Sequence, residues 1–552
     1  PALPPAYALV LVLAVTAPLL APGYLLFRDA VSTPRSYLSD AALGLSEAAP
    51  RALPQDFLVA VASSVVDGAV VVKSLLIAGL WLAGWGAARL AAAVVPESGV
   101  AGQCVATTIA VWNPYVAERL VQGHWSLLVG YGCLPWVAAA MLGMRARPSW
   151  SAGAGLVFWI ALAGLTPTGL MLAATVALVC VFAPGDGWSR WRCTGLGLAV
   201  AVVTALPWLV AATVAQSLES SQAEGVAAFA ARAEPGLGTL VTLAGLGGIW
   251  NGDAVPASRT TLFAIVGTAV LLGVVALGLP VVLRRPASVP LLALAAVAVV
   301  VPALMATGPG LAVVEAAIRA LPGLGVVRDA QKWVALAVPG YALAGAAAVL
   351  TARRWLPGAV AALVCCAALI ATLPDLAWGV GGKVAPVQYP PGWAKVAAMI
   401  NTDPRPVAVL PVGSMRLFDW AGDAPVLDPL PRWVRAEVLS TGDLEIGGQI
   451  IHGEGQRARE VQEILVEGAD RDALADAGVG WVVVESGFPT THLPLPVAYT
   501  DDDLTLYRVG GSSPAADGRD VLLAAHLVWL AMLAAGGGLS LVTAIRRRVH
   551  AP

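Results

Sequence analysis

The sequence predicts an α-helical polytopic membrane protein with about twelve transmembrane helices and a C-terminal extracytoplasmic α/β domain before the last helix. Three observations predict it. Of 552 residues, 58% are hydrophobic and 12% charged, and that is about half the charge an average soluble domain carries. The apolar residues come in blocks of about 20, long enough to cross a hydrocarbon core of roughly 30 Å as helix. Short arginine-bearing loops separate these blocks in regular alternation.

The blocks lie near residues 7 to 27, 69 to 95, 100 to 115, 125 to 144, 150 to 165, 168 to 184, 194 to 215, 260 to 283, 288 to 306, 333 to 352, 356 to 373 and 520 to 544. The first reads as a retained helix, being too long for a signal-peptide core and lacking a small-residue cleavage site. Threaded in this order, Arg145 and Arg147, Arg190 and Arg192, Arg284 and Arg285, Arg353 and Arg354, and Arg546 to Arg548 fall on one side. The positive-inside rule makes that side the cytoplasm, places both termini there, and predicts a multi-pass protein of the plasma (inner) membrane. Segments 28–68, 216–259, 307–332 and 374–519 then face outward. Residues 1–373 form the transmembrane domain, 374–519 the soluble domain, and 520–552 the final helix with its basic tail.

Within the first outward segment, Leu53, Phe57, Val61 and Val65 recur at helical spacing beside Gln55, Asp56 and Ser63. This predicts an amphipathic helix in the membrane surface. The soluble domain has a different grammar: 407–411 (VAVLP) and 481–485 (WVVVE) read as buried strands, 392–401 and 455–466 as helices. Trp420 and Trp433, with Asp419 and Asp428 nearby, suit carbohydrate stacking or a plain aromatic core.

Several function classes are set aside. A net charge of -2 without basic runs gives no electrostatic footing for nucleic acid. The cysteines (Cys104, Cys133, Cys180, Cys193, Cys365, Cys366) lie in or beside apolar blocks, which argues against disulfides, cysteine-based zinc sites and thiol catalysis. There is no P-loop, HExxH or GxSxG pattern, and no carboxylate deep inside a block of the kind that marks ion-coupled transport.

Four polar clusters sit at the outward ends. Asp29, directly after the first block, either ends the helix and pairs with Arg28 or serves as a general base facing a cavity. Asp40 and Asp56 follow in the same loop. In Trp112-Asn113-Pro114-Tyr115, continuing to Glu118, Arg119, Gln122, His124 and Trp125, Asn-Pro breaks the helix and gathers polar and aromatic groups suited to a sugar or phosphate, or to an interfacial ion pair with aromatic anchors. Arg328 and Lys332, four apart, would share one helical face and could hold a phosphate or anchor to headgroups. Trp250, Asn251, Gly252 and Asp253, with Arg259, form a loop lid or a turn.

A helix followed at once by an acid-bearing outward loop with an amphipathic helix, many further spans, and a C-terminal soluble domain together resemble the GT-C superfamily of membrane glycosyltransferases. The stretches WNPYVAERLVQGHWSLLVGYGCLPW (112–136) and VVRDAQKW (326–333) look like those of actinobacterial and archaeal envelope proteins in or near that superfamily. The resemblance implies a sugar donor on polyprenyl phosphate, arabinofuranose or mannose being favoured, and an envelope glycan or glycolipid acceptor. It implies Asp29 as base with Asp40 beside it, Arg328, Lys332, Arg119 and Arg259 as phosphate-binding cations, and Glu118, His124, Trp125, Trp250 and Asp253 as substrate-binding groups. No cofactor is required; the chemistry also admits a divalent cation. Many members carry paired acids in the first loop, whereas Asp29 here stands between Arg28 and Ala30, so either Asp40 completes the site or catalysis has been lost. Two other classes compete: a transporter or flippase of a lipid or lipid-linked sugar, and a non-catalytic envelope scaffold.

Overall fold

The computed structural model describes the chain except residues 1, 47–51, 215–224, 322–323, 447, 486–492, 515 and 550–552. Helices occupy all twelve predicted blocks, but their lengths differ. Among the described residues seven are long and apolar enough to cross a membrane: Leu3–Leu20, Gly68–Val94, Trp125–Ala146, Arg190–Val214, Phe263–Leu283, Ala330–Ala352 and Arg519–Thr543. Two bent pairs, Val289–Met305 with Gly308–Ala320 (92°) and Gly358–Ala371 with Pro374–Gly381 (74°), raise the number to nine if each is one span.

The expected twelve is therefore not reached by length. Gly99–Val111, Trp150–Ala163 and Pro167–Cys180 have 13, 14 and 14 residues, short of the roughly 20 needed to cross unaided. Breakers explain the shortfall. Asn113-Pro114 starts a new helix directly after the first of these, and Pro167, capped by Thr166, starts one directly after the second. The first block is also shorter than expected, because after Thr16 the chain tightens to a 3₁₀ turn through Pro18 and then becomes extended.

Close backbone contact holds the bundle together. A Cβ on Gly132 would stand 2.1 Å from the Gly79 carbonyl oxygen, so Gly68–Val94 and Trp125–Ala146 can touch there only through small residues. These helices run parallel, Gly79 meeting Val129 and Gly86 meeting Trp136. Their C-terminal ends carry basic loops. Arg285 bonds the Val94 carbonyl (2.9 Å) and Glu97 (2.7 Å), Arg353 bonds the Glu97 carbonyl (3.0 Å), and Arg145 bonds the carbonyls of Ala183 (3.1 Å) and Trp188.

The surface helix predicted over 53–66 is shorter, Gln55–Ala62. Leu53 and Phe57 are buried as expected, but Val61 and Val65 are 41% and 87% exposed. The Ser63 hydroxyl bonds the backbone of Ser36 on both sides and ends the helix, so Val65 never joins the apolar stripe.

At the opposite end of the bundle, β1 (Leu26–Phe27) and β2 (Ala30–Val31) make a tight hairpin. The C-terminal domain adds β3 (Val407–Leu410), β4 (Met415–Arg416), β5 (Val426–Leu427), β6 (Val438–Leu439), β7 (Leu444–Ile446), β8 (Gln449–Ile451), β9 (Trp481–Glu485), β10 (Val497–Thr500) and β11 (Leu504–Arg508). Its main sheet has the order β10-β11-β9-β3-β6, with β3 parallel to β6 and β9, and β11 antiparallel to its neighbours. Alternation along β3 and β9 sends Val407, Val409, Trp481 and Val483 against helix Pro391–Thr402, and Ala408, Leu410 and Val482 against helix Gln456–Glu467. Both predicted strands and both predicted helices are present. Trp393, Trp420, Trp433, Tyr389 and Phe418 pack on one another within this domain, the core alternative for Trp420 and Trp433.

The hairpin belongs to this domain's core. Leu26 and Val31 are buried in the same cluster as Trp393 and Val409. Tyr24 exchanges two backbone bonds with Val387 (2.8 and 2.9 Å), the Leu427 amide donates to the Arg28 carbonyl (2.8 Å), and the Tyr389 hydroxyl donates to the Ser32 carbonyl (3.0 Å).

Candidate functional site

The site grows from two tight bends pressed together. Arg28 and Asp29 form the hairpin turn, with Arg28 at φ 50°, a left-handed conformation uncommon outside glycine. The second bend follows Asn113, whose side-chain oxygen accepts from the Val116 amide (3.0 Å) and caps the short helix Pro114–Val121. That helix ends at the corner Gln122-Gly123-His124. Gly123 has φ 84°, and a Cβ there would lie 2.4 Å from the Ala30 nitrogen and 2.6 Å from the Phe27 oxygen. Only glycine lets the turn lie on the corner, where the Asp29 amide donates to the Gln122 carbonyl (3.2 Å).

This contact sets the side chains. His124 Nε2 stands 2.9 Å and Gln122 Nε2 3.1 Å from Asp29 Oδ2. Among the described residues Asp29 Oδ1 carries no hydrogen bond, and the side chain is 34% exposed. His124 Nδ1 lies 3.1 Å from Nη1 of Arg119. A guanidinium can only donate, so Nδ1 accepts, Nε2 carries the proton, and that proton points at Asp29.

Behind His124 lies a buried network. Arg119 donates to Asp329 through both terminal nitrogens (2.7 and 3.0 Å) and to the Gln331 side-chain oxygen. Gln331 donates to Glu118 (2.9 Å), which also accepts the amides of Gly248 (3.0 Å) and Ile249 (3.1 Å). Asn251 donates to Gln122 (2.8 Å), and Lys332 approaches Asp329 at 3.7 Å. Three of the four predicted outward regions therefore meet the 113–124 corner at Asp29.

Electrostatics follow from burial and neighbours. Burial raises the Asp29 pKa, but the His124 and Gln122 hydrogen bonds and the Lys332 charge outweigh it and hold the carboxyl below its ordinary value. Burial pulls His124 down, Lys332 and Arg119 pull the same way, and Asp29 opposes them. The imidazole is thus neutral at neutral pH. Asp329 is held well below the usual carboxylate range, its burial overcome by Arg119 and Lys332. Glu118 is pushed up to about 8, first by burial and then by neighbouring Glu234, against Arg119 and its amide donor.

Asp29, Glu118, Arg119, His124 and Lys332, each named from the sequence, are brought together, a convergence the sequence did not show; several roles need correction. Arg119 is fully buried and committed to Asp329, Gln331 and His124, so it supports the site from behind rather than facing a phosphate. Arg259 is buried too, donating to both Glu234 oxygens, Thr268 (3.0 Å) and the Ala264 carbonyl (3.2 Å). Arg328 and Lys332 do not share a helical face, because Arg328 falls between the 3₁₀ segments Leu324–Val327 and Ala330–Ala337. Arg328 lies over the Phe229 ring, 4.9 Å from its centroid. Trp125 is 3% exposed and lines a small apolar cavity with Phe27, Ala30, Leu120 and Gly123. Asp40 pairs with Arg519 and does not join Asp29. Nor does Arg28 pair with Asp29, as the local alternative required. Trp250 meets Phe229 edge-on at 4.7 Å, and Asp253 sits in the Asn251 turn near Arg28.

Sequence reasoning assigned no role to Asp329, Gln331, Gly123 or Glu234. The first two were visible only as polar members of VVRDAQKW; Glu234 gave no signal. Among the described residues no three of His, Cys, Asp or Glu stand together as a metal-ligand set. In comparisons with known proteins, no family model matches the chain and no curated protein matches its sequence.

Proposed function

We propose that this chain is an inverting membrane glycosyltransferase that moves a sugar, arabinofuranose or mannose by preference, from a polyprenyl-phosphate donor to an envelope glycan or glycolipid outside the plasma membrane. The observation that carries the proposal is Asp29. One carboxylate oxygen is fixed by His124 and Gln122 while the other carries no hydrogen bond among the described residues, on a tight turn at the end of the bundle opposite the basic loops. That is the form a general base takes when it must receive a proton from an incoming hydroxyl.

In the proposed reaction the acceptor hydroxyl oxygen attacks the anomeric carbon and its proton passes to Asp29 Oδ1. The bond from the anomeric carbon to the phosphate oxygen breaks, and its electron pair stays on the lipid phosphate. His124 and Gln122 hold the carboxylate still, and Lys332 adds positive charge beside it. Twelve passes, with the three short helices crossing in company, would put both termini in the cytoplasm and the soluble domain outside.

The test is transfer by purified protein in lipid, from a panel of radiolabelled polyprenyl-phosphate sugars to envelope acceptors. Asp29→Asn and Asp29→Ala, at equal folded amounts, are expected to lose about 10²–10⁴-fold in rate. Transfer that survives both substitutions removes Asp29 as base. A wild-type protein inert with every donor makes lipid-linked sugar transport the reading to pursue.

A further inference from the structure

Among the described residues, Arg28 is a cation at this site to which the fold gives no bonding partner for its side chain. It is 8% exposed, and among the described residues its guanidinium makes no hydrogen bond or ion pair; its Nε is buried without a partner. Its guanidinium carbon lies 5.6 Å from the centroid of the neighbouring Phe27 ring. Arg119 shares the orphaned Nε, but the terminal nitrogens of three other buried arginines are committed: Arg119 to Asp329, Arg259 to Glu234 and the Ala264 carbonyl, Arg416 to Asp428 and the Gly413 carbonyl. The Arg28 terminal nitrogens are not buried: they reach the surface, where a ligand can meet them, while burial of Nε without a partner costs stability.

The backbone makes the arrangement more pointed. Arg28 holds φ 50°, and the Leu427 amide on its carbonyl (2.8 Å) pins that conformation from the C-terminal domain. Glycine would fill this turn without strain. A strained, buried and unpaired arginine, adjacent in sequence to an accessible carboxylate, is a residue kept for its side chain.

We propose that Arg28 is an oxyanion-binding residue whose ligand is a phosphate carried by a membrane lipid, seated beside Asp29 at the hairpin turn. The planar fork of N–H donors matches two phosphate oxygens at once, and phosphate supplies the charge that Arg28 lacks. Burial lowers the Arg28 pKa from its ordinary value, and the charges of Asp253 and Asp29 oppose that without bonding to the guanidinium. The choice of a polyprenyl phosphate rests on the glycosyl-transfer reading, but anion binding is measured apart from turnover, so the two fail separately.

The test uses full-length protein in nanodiscs of neutral lipid, titrated separately with polyprenyl phosphate, its dolichol-type alcohol without phosphate, and inorganic phosphate. Arg28→Gly is the decisive variant, since glycine accepts the φ and the substitution removes only the cation. Arg28→Lys keeps charge without the fork. The expected result is an Arg28→Gly protein at least as heat-stable as wild type whose affinity for polyprenyl phosphate falls about tenfold or more. Arg28→Lys is expected to fall between the two, and the alcohol to bind all three alike. Binding of inorganic phosphate that lipid phosphate fails to displace overturns the lipid source. Unchanged polyprenyl-phosphate affinity in Arg28→Gly overturns the proposal, as does a marked loss of heat stability, which would mean that Arg28 serves the fold. If Asp29→Asn retains sugar transfer while Arg28→Gly loses phosphate, the general-base assignment fails and the anion site stands.

Discussion

The two ring nitrogens of His124 are committed in opposite senses, Nδ1 to Arg119 and Nε2 to Asp29. Arg119 thereby dictates the tautomer, and Asp29 receives a neutral N–H rather than an imidazolium. His124→Phe keeps a ring of similar bulk and removes that donor, so the Asp29 pKa should rise. The acid limb of kcat/KM for sugar transfer should then move to higher pH than in wild type, by an amount read from the two pH profiles. Stability carries the same sign. A carboxylate whose folded pKa lies below its unfolded value adds stability above the unfolded pKa, ordinarily about 3.9, and loses it as pH falls through the folded value. The variant should therefore lose heat stability at a higher pH on acidification than wild type does. Asp29 and His124 were each legible in the sequence as polar residues at the edges of apolar blocks. Their pairing was not, nor was the burial of Arg119, because its partner Asp329 lies 210 residues further along the chain. A sequence shows a cation; it does not show whether a distant carboxylate has already taken it.

At the scale of elements, the site rests on a corner and a turn rather than on long helices. Gly123 is where they touch, and its φ of 84° and the 2.4 Å approach to the Ala30 nitrogen leave no space for a side chain. Gly123→Ala should cost about 2 kcal/mol of stability and lift the hairpin from the corner. Thermal unfolding would show the first effect, and a fall in kcat without loss of donor binding would show the second. Strands and helices of the soluble domain were readable because a short apolar run or an amphipathic period announces itself within ten residues or so. The 3₁₀ geometry around Arg328 was not, since four-residue spacing means one face only if the helix is α. Likewise the apolar blocks 100–115, 150–165 and 168–184 were legible as helices but not as short ones, because Pro and Gly near their ends remain compatible with a continuous span.

Taken whole, the molecule has two bodies that share one hairpin. Leu26 and Val31 are buried in the core of the C-terminal domain while Asp29, between them, reaches the corner of the membrane bundle. Removing residues 374–519 should therefore abolish sugar transfer even if no sugar ever touches that domain. Adding the separated domain back should not restore it unless the hairpin is recaptured, which transfer assays on the split protein would reveal. Composition announced the membrane body and a change of composition announced the second; no local feature announced that the first loop completes the second body's core. The bond between the Leu427 amide and the Arg28 carbonyl also sets a schedule. Arg28 and Asp29 are synthesised well before Leu427, with most of the membrane helices made in between. Until Leu427 is in place the Arg28 carbonyl lacks that partner and the turn rests on the Gln122 corner, so the site takes its final shape only after the soluble domain folds.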